Sequence, residues 1–168
     1  DRADAFALGS QEKTAKAYAN GVIQPDLVPV AARSAELGNI LVSADEAPRP
    51  ATTLEGLAAL KTPFRPHGRV TAGNASGLSD GATAALLANE EMADRLGLSK
   101  KMRMVGFAFA GVEPEVMGVG PVPSTEKALA RTGLSIDDID LFEINEAFAV
   151  QVLALLDHFG IADDDERV

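Results

Sequence analysis

Between Met102 and Gly160 short apolar runs alternate with helical patterns, and this alternation limits the architectures open to the chain. Met102 to Ala110 reads as a buried strand, Pro123 suits the first position of a helix that stops at Gly133, and Asp140 to Ile144 reads as another strand. In the last pattern Phe148, Val152, Leu155, Leu156 and Phe159 follow at spacings of four, three, one and three. Those spacings place all five on one face of a helix that Gly160 ends. Strands alternating with helices predict an α/β fold.

The first half is punctuated less regularly. Residues 4 to 19 read as a helix with alanines and Phe6 on one side and Gly21 as its stop, followed by a loop set by Pro25 and Pro29. Asn39 to Val42 fits a strand. Thr52 and Glu55 have capping-box spacing ahead of Leu54, Leu57, Ala58 and Leu60, which predicts a helix over 53–60 ending before Pro63. Ala82 to Ala88 suits either a buried strand or a helix start. Glu90 to Leu96 reads as helix with Gly97 just past its end, and the acidic run Asp163 to Glu166 reads as a frayed tail.

A chain of 168 residues with 46% hydrophobic content has enough apolar material for a globular core. Its 15 basic and 25 acidic residues leave a formal charge of −10, so nucleic acid and anionic membrane surfaces repel it. No apolar run approaches the ~20 residues needed to span a bilayer. Asp1-Arg2-Ala3-Asp4 has neither the basic start nor the apolar centre of a signal peptide, and a cytoplasmic location is expected. The absence of cysteine excludes disulfides and thiolate metal sites. No GxSxG elbow, HExxH or EF-hand spacing occurs, so hydrolase and metalloenzyme chemistry has no residues to use and no metal is expected.

Four stretches remain that carry chemistry. Leu141 to Ala149 reads as a strand that stops at Asn145 where a helix begins. Exposed backbone N–H groups and the positive end of a helix dipole make such a junction a place to stabilise developing negative charge. Thr71 to Gly81 has glycines at 73, 77 and 81 and a hydroxyl at Ser76, which suits close approach of a ligand and equally suits an ordinary turn. Gly118 to Pro123 has half of a dinucleotide fingerprint, with proline where the third glycine belongs. Arg49, Lys61, Arg65 and Arg69, with His67 among them, form either a solvated face or a patch for a phosphorylated ligand. His158 suits the C-terminal end of its helix, a structural role, and Asp137 with Asp138 a solvated helix start.

Val70-Thr-Ala-Gly-Asn-Ala-Ser-Gly-Leu-Ser-Asp-Gly-Ala82, Gly118-Val-Gly-Pro-Val-Pro123 and Asn145-Glu-Ala-Phe-Ala149, in this order, resemble the corresponding stretches of thiolases. Asp4-Ala-Phe-Ala-Leu8 with Ser10-Gln11 is similar to the thiolase loop region, so the resemblance extends over essentially the whole chain. Related condensing enzymes generally have histidine where this chain has Asn145. The resemblance implies a layered αβαβα thiolase-like fold, incomplete here. Residues 1–73 would form part of the coenzyme A-binding loop domain, 74–98 the closing segment of the N-terminal half, and 99–168 the start of the C-terminal half.

By the same resemblance, Asn145 holds a water molecule that donates to the thioester oxygen, one half of an oxyanion hole completed by a histidine. Arg49 packs along the adenine and phosphate part of coenzyme A, and Phe64 is a wall of that pocket. Ala72, Gly73 and Ser76 contact the pantetheine arm, while Leu78, Met117, Ala147 and Phe148 line the tunnel near the thioester. Phe148 also fits plain core packing. Gly56 stands where many thiolases carry a serine that bonds the cofactor. No permanently bound cofactor is implied; coenzyme A and acyl-CoA enter as substrates.

The thiolase reaction needs a nucleophilic cysteine, a Gly-His-Pro segment and a second cysteine in a glycine-rich loop, and none stands in these 168 residues. The resemblance therefore implies a part of a longer acyl-CoA thiolase, inactive alone, which cleaves 3-oxoacyl-CoA with coenzyme A or runs the reverse Claisen condensation. The degradative type of fatty-acid β-oxidation is implied ahead of the acetoacetyl-CoA-forming type. The parent enzyme would be a homo-oligomer, with a hydratase/dehydrogenase subunit as a further partner. A thiolase-derived module that binds coenzyme A without catalysis, or serves only as structure, is the alternative.

Overall fold

Asp1 starts the first helix: its carboxylate accepts from the backbone N–H of Asp4 at 2.9 Å, and α1 runs Arg2–Ala19. This cap brings the helix start forward from the expected residue 4, since the side-chain oxygen satisfies a donor that the helix leaves orphaned. The computed structural model describes residues 1–99 and 102–168. These divide into one unit of residues 1–77 with 146–153 and a second of residues 78–145 with 154–168.

In the first unit α1 turns Ala3, Asp4 and Ala7 inward. The chain then forms an antiparallel hairpin of β1 (Val30–Ser34) and β2 (Gly38–Val42), with Val30 opposite Val42 and Ser34 opposite Gly38. Of these strands only β2 was expected. Val-Ala-Ala-Arg-Ser after Pro29 has no apolar alternation, and its side chains lie mostly in solvent. Ser34 Oγ accepts from the N–H groups of Glu36 and Leu37, both at 3.2 Å, which closes the turn. Helix α2 (Leu54–Ala58) is shorter than the expected 53–60 and is capped by Thr53, whose Oγ1 accepts from Gly56 N at 3.1 Å. Thr52 instead donates to the Arg49 carbonyl at 2.7 Å. Leu57 is the buried residue of α2.

The second unit contains α3 (Glu90–Arg95), capped by Asn89, a 3₁₀ stretch at Pro114–Val119 with a kink at Val116, and α4 (Pro121–Thr132). Helix α4 starts two residues before the expected Pro123. Both prolines fit in its first turn, where the missing N–H has no helical partner to lose. The final helix, α5 (Ala149–Phe159), begins in the first unit and ends in the second. Its Val152 and Leu156 are completely buried and Leu155 is buried beside them, as the periodicity predicts, whereas Phe148 and Phe159 are only half-buried. The glycines read as helix stops, Gly21, Gly97, Gly133 and Gly160, all take left-handed φ values of 70°, 64°, 72° and 67°.

Two expected strands, 102–110 and 140–144, do not form, and 82–88, read as a strand or a helix start, forms neither; the hairpin is the only sheet among the described residues. Met102 and Phe109 are 95% and 80% exposed, which corrects the reading of 102–110 as buried. A strand is defined by its neighbour, and here side chains take that neighbour's place. The Phe109 carbonyl accepts from Lys127 Nζ at 3.1 Å and the Phe107 carbonyl from Arg131 Nη1 at 3.0 Å, both from α4. His158 Nε2 lies 2.8 Å from Glu126 Oε1 on α4, the structural role expected of it.

The acidic tail is held rather than frayed at Asp165. The Arg167 guanidinium donates to the Asp165 carboxylate through Nη2 at 2.8 Å and Nε at 3.0 Å. It also donates to the Ile139 carbonyl at 3.2 Å and lies 5.3 Å from the centre of the Phe142 ring. The Arg167 side chain, then its backbone N–H, holds the Asp165 carboxyl down to about 2. A carboxyl lowered on folding stabilises the fold fully above its unfolded value near 4 and loses that contribution as pH falls. The NMR resonance of the Phe142 amide, which donates to the Arg167 carbonyl at 2.7 Å, should shift with a midpoint at pH about 2, and Asp165→Asn should abolish that titration.

Candidate functional site

The first unit brings together two of the stretches singled out in the sequence. Ala75 and Phe148 form an isolated antiparallel bridge. The Ser76 N–H donates to the Ala147 carbonyl and the Ala149 N–H donates to the Asn74 carbonyl, each at 2.9 Å. The glycine-containing loop and the junction before α5 are thus laid side by side. Ala147 and Phe148 are half-buried there, while Ala72 and Ser76 remain exposed.

Gly73 sits against α2. A Cβ at this position would stand 2.6 Å from Leu60 Cδ1 and nearer still to Leu57 Cδ2. A side chain here would have to displace both leucine methyls, so glycine gives the loop its close approach to these side chains. Asn74 then locks the turn. Its Oδ1 accepts from Thr71 N at 2.9 Å, and its Nδ2 donates to Asp4 Oδ1 at 3.0 Å and to the Arg69 carbonyl at 2.9 Å. Asn74 and Asp4 are 5% and 6% exposed, so each satisfies the other's polar atoms where water does not.

Arg49, Lys61, Arg65, His67 and Arg69 all have exposed side chains. The Arg49 guanidinium folds back on its own loop, with Nη1 donating to the carbonyls of Glu46, Ala47 and Pro48 at 2.5, 2.9 and 3.0 Å. Its backbone N–H donates to Gln11 Oε1 at 2.7 Å. Phe64 is 76% exposed. Gly56, in α2, spends its N–H on the Thr53 cap.

Leu78, Met117 and Asn145 belong to the second unit. Leu78 is fully exposed, Met117 on the 3₁₀ stretch is 69% exposed, and Asn145 is exposed as well. Two features expected around Asn145 differ. No strand precedes it, and α5 starts four residues later at Ala149, where the first N–H is already taken by the Asn74 carbonyl. One N–H of the positive end of α5 is therefore spent on the glycine-containing loop. Gly118 to Pro123 follows a 3₁₀ stretch rather than a strand, so the strand–loop–helix context of a dinucleotide fingerprint is missing.

Asp4, Ser10, Gln11, Asn74 and Glu146 stood in the sequence only as members of the resembling stretches, with no role of their own. Ser10 Oγ donates to Glu146 Oε2 at 2.6 Å across 136 positions of sequence. The signal available was the helical spacing of Ala3, Asp4, Ala7, Ser10 and Gln11, which aligns small and polar residues along one side of α1. Among the described residues no group of three or more histidine or carboxylate side chains is placed to hold a metal ion. No helix among them is long and apolar enough to cross a membrane.

Known proteins match this arrangement along the chain. Residues 1–91 match the family model described as thiolase, N-terminal domain, and residues 98–168 that of thiolase, C-terminal domain. The chain is 50% identical over 165 residues to a 3-oxoadipyl-CoA/3-oxo-5,6-dehydrosuberyl-CoA thiolase of Escherichia coli, covering 98% of this chain and 41% of that protein. It is 48% identical over 170 residues to a 3-ketoacyl-CoA thiolase of Aliivibrio fischeri, covering 100% of this chain and 44% of that one. The crystal structure of the Bacillus anthracis acetyl-CoA acetyltransferase superposes with a TM-score of 0.91 at 41% identity, over 98% of this chain and 41% of its own. The chain thus spans less than half the length of these relatives and carries the corresponding part of their α/β fold. On the two family models and the fold together, it belongs to the thiolase family.

Proposed function

We propose that these residues serve as the central part of an acyl-CoA thiolase that cleaves 3-oxoacyl-CoA with coenzyme A, or runs the reverse condensation. In this reading 1–73 contributes to the coenzyme A-binding loop domain, 74–98 closes the N-terminal half and 99–168 opens the C-terminal half. The observation that carries it is the pairing of residues 74–76 with 147–149. That pairing sets a bare backbone loop suited to a pantetheine arm beside the junction that Asn145 precedes.

Asn145 supplies a carboxamide that orients a water toward the thioester oxygen. A neutral amide does this without titrating, and it keeps both a donor and an acceptor at every working pH. Arg49, Phe64, Ala72, Gly73 and Ser76 receive coenzyme A, and Leu78, Met117, Ala147 and Phe148 border the acyl end. The nucleophilic thiolate, the histidine that completes the oxyanion hole and the second thiol that moves the proton are supplied by sequence outside these residues. Coenzyme A is a substrate and no resident cofactor takes part. The relatives' names support an oxoacyl-CoA substrate, and a cytoplasmic setting belongs to the same reading.

The test is the coding sequence on both sides together with an activity assay. A cysteine segment upstream, a Gly-His-Pro segment and glycine-rich cysteine loop downstream, and thiolysis of 3-oxoacyl-CoA by the joined protein are the expected results. Residues 1–168 expressed alone should show no thiolysis. Turnover by the isolated chain, or flanking sequence without cysteine, would overturn the proposal.

A further inference from the structure

Helix α1 reaches three separate loops through three polar side chains. Asp4 Oδ1 accepts from Asn74 Nδ2 at 3.0 Å, Ser10 Oγ donates to Glu146 Oε2 at 2.6 Å, and Gln11 Oε1 accepts from the Arg49 backbone N–H at 2.7 Å. These loops are the ones that present the pantetheine-facing residues, Asn145 and Arg49. None of the three α1 residues is assigned a contact with substrate. Their common helix makes them a single rigid frame, because α-helical hydrogen bonds fix their relative positions.

We propose that α1 is a positioning strut with two separable outputs: Ser10, through Glu146, fixes the backbone that carries Asn145, and Gln11 fixes the backbone that carries Arg49. The proposal rests on the thiolase reading of Asn145 and Arg49. The Ser10–Glu146 contact is a short hydroxyl-to-carboxylate hydrogen bond, the stronger kind. Glu146 is joined to Asn145 by one planar peptide, so restricting the side-chain torsions of Glu146 narrows the range of its backbone, to which Asn145 is attached. A group that orients a water has to be held to within about 0.5 Å of its working position. Ser10 and Gln11 are neighbours in sequence yet lie ~100° apart around the helix, which is why they serve different loops.

The split between kcat and KM tests this in the full-length enzyme. Ser10→Ala should lower kcat roughly tenfold with KM for coenzyme A unchanged, the loss expected for one charge-assisted hydrogen bond. Ser10→Thr, which keeps the hydroxyl, should restore it. Gln11→Ala should raise KM for coenzyme A about fivefold with kcat unchanged, and Gln11→Glu, which keeps the acceptor, should restore it. The double variant Ser10→Ala/Glu146→Ala should be no slower than the slower single variant, since both remove one interaction.

A helix that matters only for folding would lower the active fraction at both positions, so that kcat per total enzyme falls with KM unchanged and melting temperatures drop while kcat per folded active site stays at the wild-type value, and that result overturns the proposal. Asn145→Ala serves as the reference. If it leaves turnover unchanged, the thiolase reading of Asn145 fails and the strut fails with it. If it abolishes turnover while Ser10→Ala keeps the wild-type kcat, the reading stands and the strut is wrong.

Discussion

Replacing Asn145 by Ala in the full-length enzyme is expected to lower kcat by about 10² to 10³, or roughly 3 to 4 kcal/mol of transition-state stabilisation. The loss should appear in kcat and in kcat/KM alike, because the oriented water meets charge that exists only as the tetrahedral intermediate forms. Asn145→Asp should be at least as slow: it replaces donor N–H groups with an acceptor-only carboxylate and sets a negative charge beside the developing one. The leading N–H of α5 cannot stand in for the Asn145 carboxamide, since that group is committed to the Asn74 carbonyl. Steady-state thiolysis measures the effect, and turnover within threefold of wild type would remove Asn145 from the mechanism.

The second large effect is on stability. Asn74→Ala removes three hydrogen bonds made by a side chain that is 5% exposed. It also leaves the Asp4 carboxylate in the interior with one donor fewer. Loss of a partner from a buried charged group outweighs the area lost, and about 2 to 4 kcal/mol is expected. Asn74→Asp should be worse at neutral pH, since it opposes two carboxylates where a 3.0 Å hydrogen bond now stands. Denaturant unfolding of the full-length protein would show a lowered midpoint with an unchanged slope. Faster hydrogen exchange at Ala149 N–H, whose acceptor is the Asn74 carbonyl, would show that the junction loosens with the loop. A midpoint shift worth less than 1 kcal/mol would mean that the clash-limited seat of Gly73 against α2 holds the loop without Asn74.

Both effects turn on residues of very different legibility. Asn145 stood out in the sequence because it falls where a strand pattern gives way to a helix pattern and opens a motif that resembles one of the thiolases. Asn74 lay in plain view inside Gly73-Asn74-Ala75 and read as an ordinary turn residue. What separates the two readings is a partner 70 positions away. Ser10 with Glu146 and Gln11 with Arg49 repeat the lesson at separations of 136 and 38. A polar side chain on an amphipathic helix can face solvent or a distant loop with the same local pattern.

The sequence by itself determined the helix ends and the family. Gly21, Gly97, Gly133 and Gly160 took the left-handed conformation their positions called for, and Asp1, Thr53 and Asn89 capped helices through oxygens that accept from the N–H three residues on. Those interactions are complete within one turn of chain, so a single sequence carries them. The tertiary structure decided everything that needs a second segment. Among the described residues 102–110 and 140–144 pair with no strand, and the Phe107 and Phe109 carbonyls accept from α4 side chains. The tertiary structure also spent the first N–H of α5 on the glycine-containing loop, and it made α1 the common anchor of the loops at 49, 74 and 146. Hydrogen-bond partners far apart in sequence are chosen by packing, and no local pattern records which groups packing brings together.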